Sequence, residues 1–316
     1  MNGDNRSIYK PVFIGGCPRS GTTLLGSMLG AHSESICVPE SQFKIGLISK
    51  FKTYSNNIEL LKKDLFNNKR FKLWQVDAKE VKNYLINNSI TIQDLLDFLV
   101  ESYSTNHKKK TSMWIDHTPN NIMYIRTLNN TFNNAKFIHV IRDGRAVLAS
   151  IRKTDWALKN ENIQKLSTYW ASQVSYGLAA ESFFPESVYR VRYEDILTNT
   201  EEVIKGICEY LNIQFEESML STTGFVPPEY TKLQHQLIGG GLQSNRKTAW
   251  ELELSKAEIE QFEYYTGDLL SYLGYGQSNR MLSFVGASGE EIMDFNFLEK
   301  EINRLLTRYR REQNIK

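Results

Sequence analysis

The stretch PVFIGGCPRSGTTLLGSMLGAH, residues 11–32, constrains the fold more than any other part of the chain. Its first six residues are apolar, β-rich and closed by two glycines, while TTLLGSMLGAH (22–32) carries apolar residues at helical spacing. That pattern predicts strand, turn, helix. Such a turn aims successive backbone N–H groups and the positive end of a helix dipole at one point, which favours an anion there. Gly16 and Gly21 meet the glycine spacing of the G-x-x-x-x-G-K-[ST] nucleotide loop, but Thr22 stands where its lysine belongs. The basic residue of the loop is Arg19, whose planar guanidinium suits phosphate or sulfate oxygens, and Ser20, Thr22 and Thr23 add hydroxyl donors. Phosphoryl transfer from ATP needs Mg²⁺ and a lysine against a heavily charged triphosphate. A terminal sulfonyl group carries less charge, and one arginine with backbone amides suffices to hold it.

The remaining pattern is that of an α/β protein. TIQDLLDFLVESY (91–103) reads as an amphipathic helix capped by Thr91 with Asp94. TSMWID (111–116), KFIHVIR (136–142) and VYRVRYEDI (188–196) read as strands, with GRAVLASIR (144–152) as a helix. Thr198 with Glu201 is expected to open a helix over EEVIKGICEYL, and Ser255 with Glu258 to cap one running to LLSYLGY. Alternating strands and helices predict a P-loop-like parallel β-sheet with helices on both faces. Residues 41–90 and 215–250, rich in Asn, Lys and Gly, read as irregular substrate-shaping segments. The chain divides into an α/β domain over 1–275 and, over 276–316, a linker and C-terminal amphipathic helix with apolar Ile292, Phe295, Ile302, Leu305 and Leu306. Docking of that helix on the domain and pairing with a second copy as a homodimer both fit it.

With 38 basic and 36 acidic residues the formal net charge is +2, so nothing draws the whole chain to nucleic acid or a membrane surface. Any anion site must be local. Cys17, Cys37 and Cys208 are an odd number without metal-ligand spacing, against a disulfide framework or a zinc site. The residues show no His, Asp and Glu grouping that asks for a metal. The polar MNGDNRSIYKP lacks the apolar core of a signal peptide, and no run approaches the ~20 apolar residues of a membrane span. A cytoplasmic enzyme is the resulting expectation.

FIHVIRD (137–143) imitates the apolar strand whose terminal aspartate holds Mg²⁺ in nucleoside triphosphatases, but Asp143 lies between Arg142 and Arg145. That setting suits an anion. Arg142 ends a strand and Ser150 lies two helical turns on, so both can face one anion at the carboxyl edge of a sheet.

FIGGCPRSGTTLLGSMLGAH and FIHVIRDGRAVLAS together resemble the two signatures of sulfotransferases that use 3′-phosphoadenosine 5′-phosphosulfate (PAPS) and release 3′-phosphoadenosine 5′-phosphate (PAP). The resemblance spans roughly residues 11 to 275. It implies that the first loop holds the 5′-phosphosulfate and that Arg142 and Ser150 grip the 3′-phosphate. RYEDIL (192–197) is similar to the segment that brings a tyrosine near the adenine, which implies Tyr193; a core role for that ring is the other reading. NRKTAW (245–250) resembles the late basic element that closes over the 3′-phosphate, implying Arg246 and Lys247. PRSGTTL and RDGRA lean toward the branch with tyrosylprotein sulfotransferases and bacterial relatives.

In that branch a glutamate shortly after the first helix resembles a general base, here Glu40 in ICVPESQF. A lysine two residues before a proline is its other catalytic element; here WIDHTP puts His117 there, a departure. A histidine at that position is the base in the cytosolic branch, so His117 could be base, transition-state donor or both. The implied reaction is in-line sulfonyl transfer without a metal to a small-molecule, glycan or peptide hydroxyl, or an amine. Two other functions compete with it: a phosphotransferase using ATP and Mg²⁺, and a nucleotide-binding module without chemistry. Phe43, Trp74, Trp156 and Trp170 could line an acceptor pocket or build the core.

Overall fold

The first strand, β1 (Lys10–Gly16), lies at the centre of a sheet because both its faces are apolar. Phe13 joins one hydrophobic cluster, Val12 and Ile14 another, and all three are fully buried. The computed structural model describes residues 9–276, apart from 88–90, 110, 133, 155–156 and 228–243. After β1 come α1 (Thr22–Gly30), β2 (Ser35–Val38), α2 (Phe43–Ser55), α3 (Ile58–Asn67), α4 (Ala78–Asn87) and α5 (Ile92–Asn106). Next are β3 (Met113–Asp116), a 3₁₀ turn over Pro119–Tyr124, α6 (Ile125–Thr131), β4 (Lys136–Ile141), α7 (Gly144–Arg152) and α8 (Ile163–Phe183). The described chain closes with β5 (Val188–Arg192), α9 (Tyr193–Thr198), α10 (Thr200–Leu211), α11 (Trp250–Glu253) and α12 (Lys256–Tyr272).

The five strands are all parallel in the order β2-β3-β1-β4-β5. Side chains alternate between faces. Phe13, Trp114 and Phe137 meet residues of α2 to α6, whereas Ile14, Ile115 and Ile138 meet residues of α1, α9 and α10. A third cluster joins α7, α8 and α12 around Trp170 and Phe262. The predicted parallel α/β sheet with helices on both faces is what the chain forms.

Connections leave β1 toward β2 and leave β4 toward β5, so the direction of winding reverses between the two central strands. Ligands of open α/β sheets bind outside the carboxyl ends of strands at such a point. The loops after β1 and β4 therefore meet where a ligand belongs.

Several expectations are corrected. Residues 41–90 are largely helical, not irregular. Of the two readings for Phe43 and Trp74, the core one holds: they meet edge-on at 5.6 Å within it. Trp170 is also core. The strand expected over 188–196 stops at Arg192 and turns directly into α9. Thr198 caps nothing; its hydroxyl donates back to the Glu194 carbonyl, and α10 begins at Thr200. Strand β2 and the long helix α8 had no expectation against them. The capping boxes Thr91–Asp94 and Ser255–Glu258 are both formed. All three cysteines are free and buried. Trp156 and residues 277–316, with the amphipathic tail helix, lie outside the described residues.

Candidate active site

The loop from Gly16 to Gly21 is shaped by what approaches it. A Cβ on Gly15 would lie 2.6 Å from the Ile122 nitrogen, so glycine lets the Pro119–Tyr124 turn press against β1. Gly21 has φ 95°, a left-handed conformation, and a Cβ there would sit 2.4 Å from the Tyr193 ring. Arg19 also takes a positive φ of 75° without being glycine, the kind of strain that collects at ligand sites. No side chain caps α1, so its first-turn N–H groups still point out of the loop.

Arg19 Nε donates to Ser150 Oγ at 3.0 Å, and Arg142 Nη1 donates to the Arg19 carbonyl at 2.8 Å. Residues 123 and 131 positions apart in sequence thus form one continuous cationic patch. Arg142 stacks on the Tyr193 ring at 4.1 Å, and Trp170 Nε1 donates to its carbonyl at 3.2 Å. Burial and the neighbouring Arg142 lower the Arg19 pKa from its ordinary value. A narrow cleft lined by Arg142, Ala146, Ala149, Ser150, Arg246, Ala249, Trp250 and Glu253 continues the patch. Arg246 reaches it and pairs with Glu253 at 3.3 Å; Lys247 is exposed and does not line it. Tyr193, only 2% exposed, is wedged between Gly21 and Arg142, where it props up the loop and the guanidinium.

Asp143 is committed elsewhere. One carboxylate oxygen caps α7 by accepting from the Arg145 amide at 2.9 Å and from Arg145 Nε at 3.0 Å; the other accepts from Arg145 Nη2 at 2.7 Å. It is neutralised and offers no open face to Mg²⁺. Arg145, stacked on Trp250 at 4.1 Å and paired with Glu263 at 2.6 Å, is a structural cation.

His117 follows β3 and is 2% exposed; its Nδ1 lies 3.3 Å from the Thr23 hydroxyl of α1. Phe225 meets its ring edge-on at 4.8 Å. Burial lowers its pKa below the usual histidine value, while Glu40 and Asp116 pull the other way. Glu40, in the turn between β2 and α2, accepts from Gln42 Nε2 at 2.6 Å and faces Arg70 at 3.5 Å. Its charge is felt by both His117 and Arg19. Acid–base groups and cationic loop therefore share one carboxyl-edge site.

Ser20 Oγ, Arg142 Nε and His117 Nε2 are buried without a hydrogen-bond partner among the described residues. Buried polar atoms are seldom left so. Two potential donors and an imidazole nitrogen, on the loop after β1 and at the ends of β3 and β4 beside it, fit a ligand with phosphate or sulfate oxygens.

The model of the sulfotransferase family matches residues 11–217, about two thirds of the chain. The chain belongs to the sulfotransferase family. This sulfotransferase is 27% identical over 290 residues to a Caenorhabditis briggsae protein provisionally named a protein-tyrosine sulfotransferase, covering 85% of this chain and 90% of that one. Protein-tyrosine sulfotransferase A of Caenorhabditis elegans is 28% identical over 217 residues, which cover 66% of this chain but only 51% of that protein. Among solved structures, the sulfotransferase domain from the curacin biosynthetic pathway superposes with a TM-score of 0.54 at 18% identity, over 84% of this chain and 98% of that one. At that identity the likeness establishes the fold.

Reading the sequence for a site missed Lys44, Asp116 and Asn121, which lie buried under Glu40 and His117. The signal was faint: an aspartate ending an apolar strand just before His117, and a lysine within an otherwise apolar helical turn.

Proposed function

We propose that this sulfotransferase moves the sulfonyl group of PAPS to a hydroxyl acceptor by in-line displacement, with PAP as the product. The observation that carries this reading is the Arg142–Arg19–Ser150 chain of contacts, which joins the loop after β1 to the loop after β4 in one cationic patch. Bound PAPS supplies the activated sulfonyl group and a phosphate leaving group; the chain supplies the rest. Arg142, Ser150 and Arg246 hold the 3′-phosphate, and the uncapped α1 amides with Ser20, Thr22 and Thr23 hold the 5′ end. Arg19 bridges the two, since its guanidinium already shares Ser150 with the first set.

Glu40 takes the acceptor proton. His117, kept neutral by burial, donates from Nε2 to charge building on transferring or leaving oxygens, with Thr23 fixing its other nitrogen. Metal is not required by this division of labour, because Arg19 and the amides offset the developing charge. The relatives named for protein tyrosine support a phenolic hydroxyl as the first acceptor to try.

Thermal melting with PAP, compared with ADP and Mg²⁺, is the first test. At ~100 times its Kd a ligand adds about 2.7 kcal/mol of stability. Stabilisation by PAP but not by ADP–Mg²⁺ is expected; the reverse overturns the reading. PAP release from PAPS is then followed with phenol, alcohol and sugar acceptors. Binding without turnover on any of them favours a nucleotide-binding module.

A further inference from the structure

Beneath Glu40 and His117 lies a charge pair that the reaction as described does not use. Lys44 Nζ, on the first turn of α2, sits 2.8 Å from Asp116 Oδ2 at the end of β3; the side chains are 1% and 0% exposed. Burying two charges is costly unless every lone pair and proton finds a partner. Here they do. Lys44 also donates to Asn121 Oδ1 at 2.6 Å and to Ser41 Oγ at 3.1 Å. Asp116 accepts from the Ser41 hydroxyl, from the Thr118 amide at 2.9 Å and from the Thr118 hydroxyl at 2.5 Å. The Thr118 hydroxyl in turn accepts from the Ser41 amide at 2.8 Å.

These bonds join three separate pieces of chain. Ser41 is the residue after Glu40, and Asp116 and Thr118 flank His117. Asn121 Nδ2 donates to the Ile14 carbonyl of β1 at 3.1 Å and to the Asp116 carbonyl at 2.9 Å. The β1–β3 ladder ends at Phe13 and Asp116, so Asn121 takes over where the strand pairing stops, two residues before the anion loop opens at Gly16.

We propose that the Lys44–Asp116 pair is the positioning device of this enzyme, a buried clamp that fixes the Glu40 turn and the His117 turn against β1 and sets two opposed charges near His117. The proposal rests on the catalytic reading of Glu40 and His117 above. Lys44 and Asp116 touch no reacting atom; they act through their neighbours. Among the described residues, the charged groups felt most at the His117 ring are Glu40 from the turn before α2, Asp116 from its own strand and Lys44 from α2. The Thr23 hydroxyl, the Phe225 ring and the backbone of α1 at Gly26 also lie against it. Asp116 favours the imidazolium and Lys44 opposes it, so the two charges act in opposite senses at His117.

The test uses the full chain, reading PAP release from PAPS with the best acceptor of the panel, alongside melting temperature and PAP affinity. Lys44→Met and Asp116→Asn are each expected to lower kcat 10- to 100-fold while PAP affinity stays within twofold. The pH–rate limb governed by His117 moves to higher pH in Lys44→Met and to lower pH in Asp116→Asn. A merely structural role gives no such opposed pair of shifts. Each single change strips a buried charge of its partner, so Lys44→Met/Asp116→Asn, with no net buried charge, guards against misfolding; it is expected to melt near wild type and still lose at least tenfold in kcat. Thr118→Val, which removes two clamp bonds and no charge, is expected to lose three- to tenfold. Wild-type kcat in the folded double variant and in Thr118→Val overturns the clamp. Wild-type kcat in both Glu40→Gln and His117→Ala overturns the catalytic reading instead, and the clamp with it.

Discussion

Gly21→Ala isolates the contact on which the loop geometry turns. Gly21 holds φ 95°, and a methyl group there would come within 2.4 Å of Tyr193 Cδ2 and 2.8 Å of Cε2. The backbone cost of a left-handed L-residue is about 1–2 kcal/mol, and overfilling a well-packed site adds roughly 1–3 kcal/mol. Relief by ring movement is limited, because Tyr193 is buried and its other face carries the Arg142 guanidinium at 4.1 Å. The expected loss is therefore about 2–5 kcal/mol, or roughly 4–10 °C in Tm for a domain of this size. The assay is a double-mutant cycle by urea unfolding. In a Tyr193→Ala background the steric cost disappears and only the backbone cost remains, so Gly21→Ala should become milder by about 1–3 kcal/mol. Equal cost in both backgrounds, within about 0.5 kcal/mol, refutes the wedge described for Tyr193.

Three further outcomes are expected. Arg145→Gln frees the Asp143 carboxylate beside Arg142, so PAP affinity by calorimetry should fall about tenfold, ~1.4 kcal/mol; Arg145→Gln/Asp143→Asn should regain most of it. Glu253 now holds Arg246 at 3.3 Å and Lys153 at 2.5 Å, and Glu253→Gln should tighten PAP two- to fivefold, the reach of a half-exposed ion pair, while leaving ADP unchanged. Burial alone would raise the Asp116 carboxyl, but Lys44, Ser41 and Thr118 outweigh it and hold the pKa at about 2 against an ordinary 3.8. A depressed carboxylate contributes stability above its unfolded pKa that is lost as pH falls through the folded one. Chemical denaturation should therefore show roughly 2 kcal/mol lost between about pH 4 and pH 2, and Asp116→Asn should remove that slope.

The anion loop and the Arg142–Ser150 pair were legible because their chemistry is written in short, local sequence: a β-rich run, two glycines, a helix, and a strand-end arginine eight residues before a serine. The capping boxes at Thr91 and Ser255 were legible for the same reason, since each closes within four residues. Strand β2 was not, because its four residues SICV are too short to show a period. The helices α2, α3 and α4 were hidden by Asn and Lys on their exposed faces; burial of Leu47, Leu61, Leu65 and Val81 against the core, not propensity, decides them. Tyr193 looked like the middle of a strand because VYRVRYEDI alternates. The chain leaves the sheet at Arg192, and Glu194 then meets the Asp143 amide at 3.1 Å and the Tyr275 hydroxyl at 2.8 Å. Long-range pairing of that kind has no local signature.

The same distinction explains how a chain of net charge +2 gathers a cationic site at all. The sequence around it is nearly balanced, so what matters is which charges are cancelled. Arg145 embraces Asp143 with three hydrogen bonds, from one backbone amide and two guanidinium nitrogens. Glu194 is spent on the Asp143 amide and the Tyr275 hydroxyl. Among the described residues no carboxylate reaches ion-pair distance of Arg142, which donates to a carbonyl and stacks on a ring. A carbonyl and a π-face orient a guanidinium without neutralising it, so the positive charge of Arg142 survives at the cleft it lines. The order Arg142, Asp143, Gly144, Arg145 therefore works as a unit: the second arginine cancels the aspartate that caps the helix and leaves the charge of the first without a carboxylate against it among the described residues.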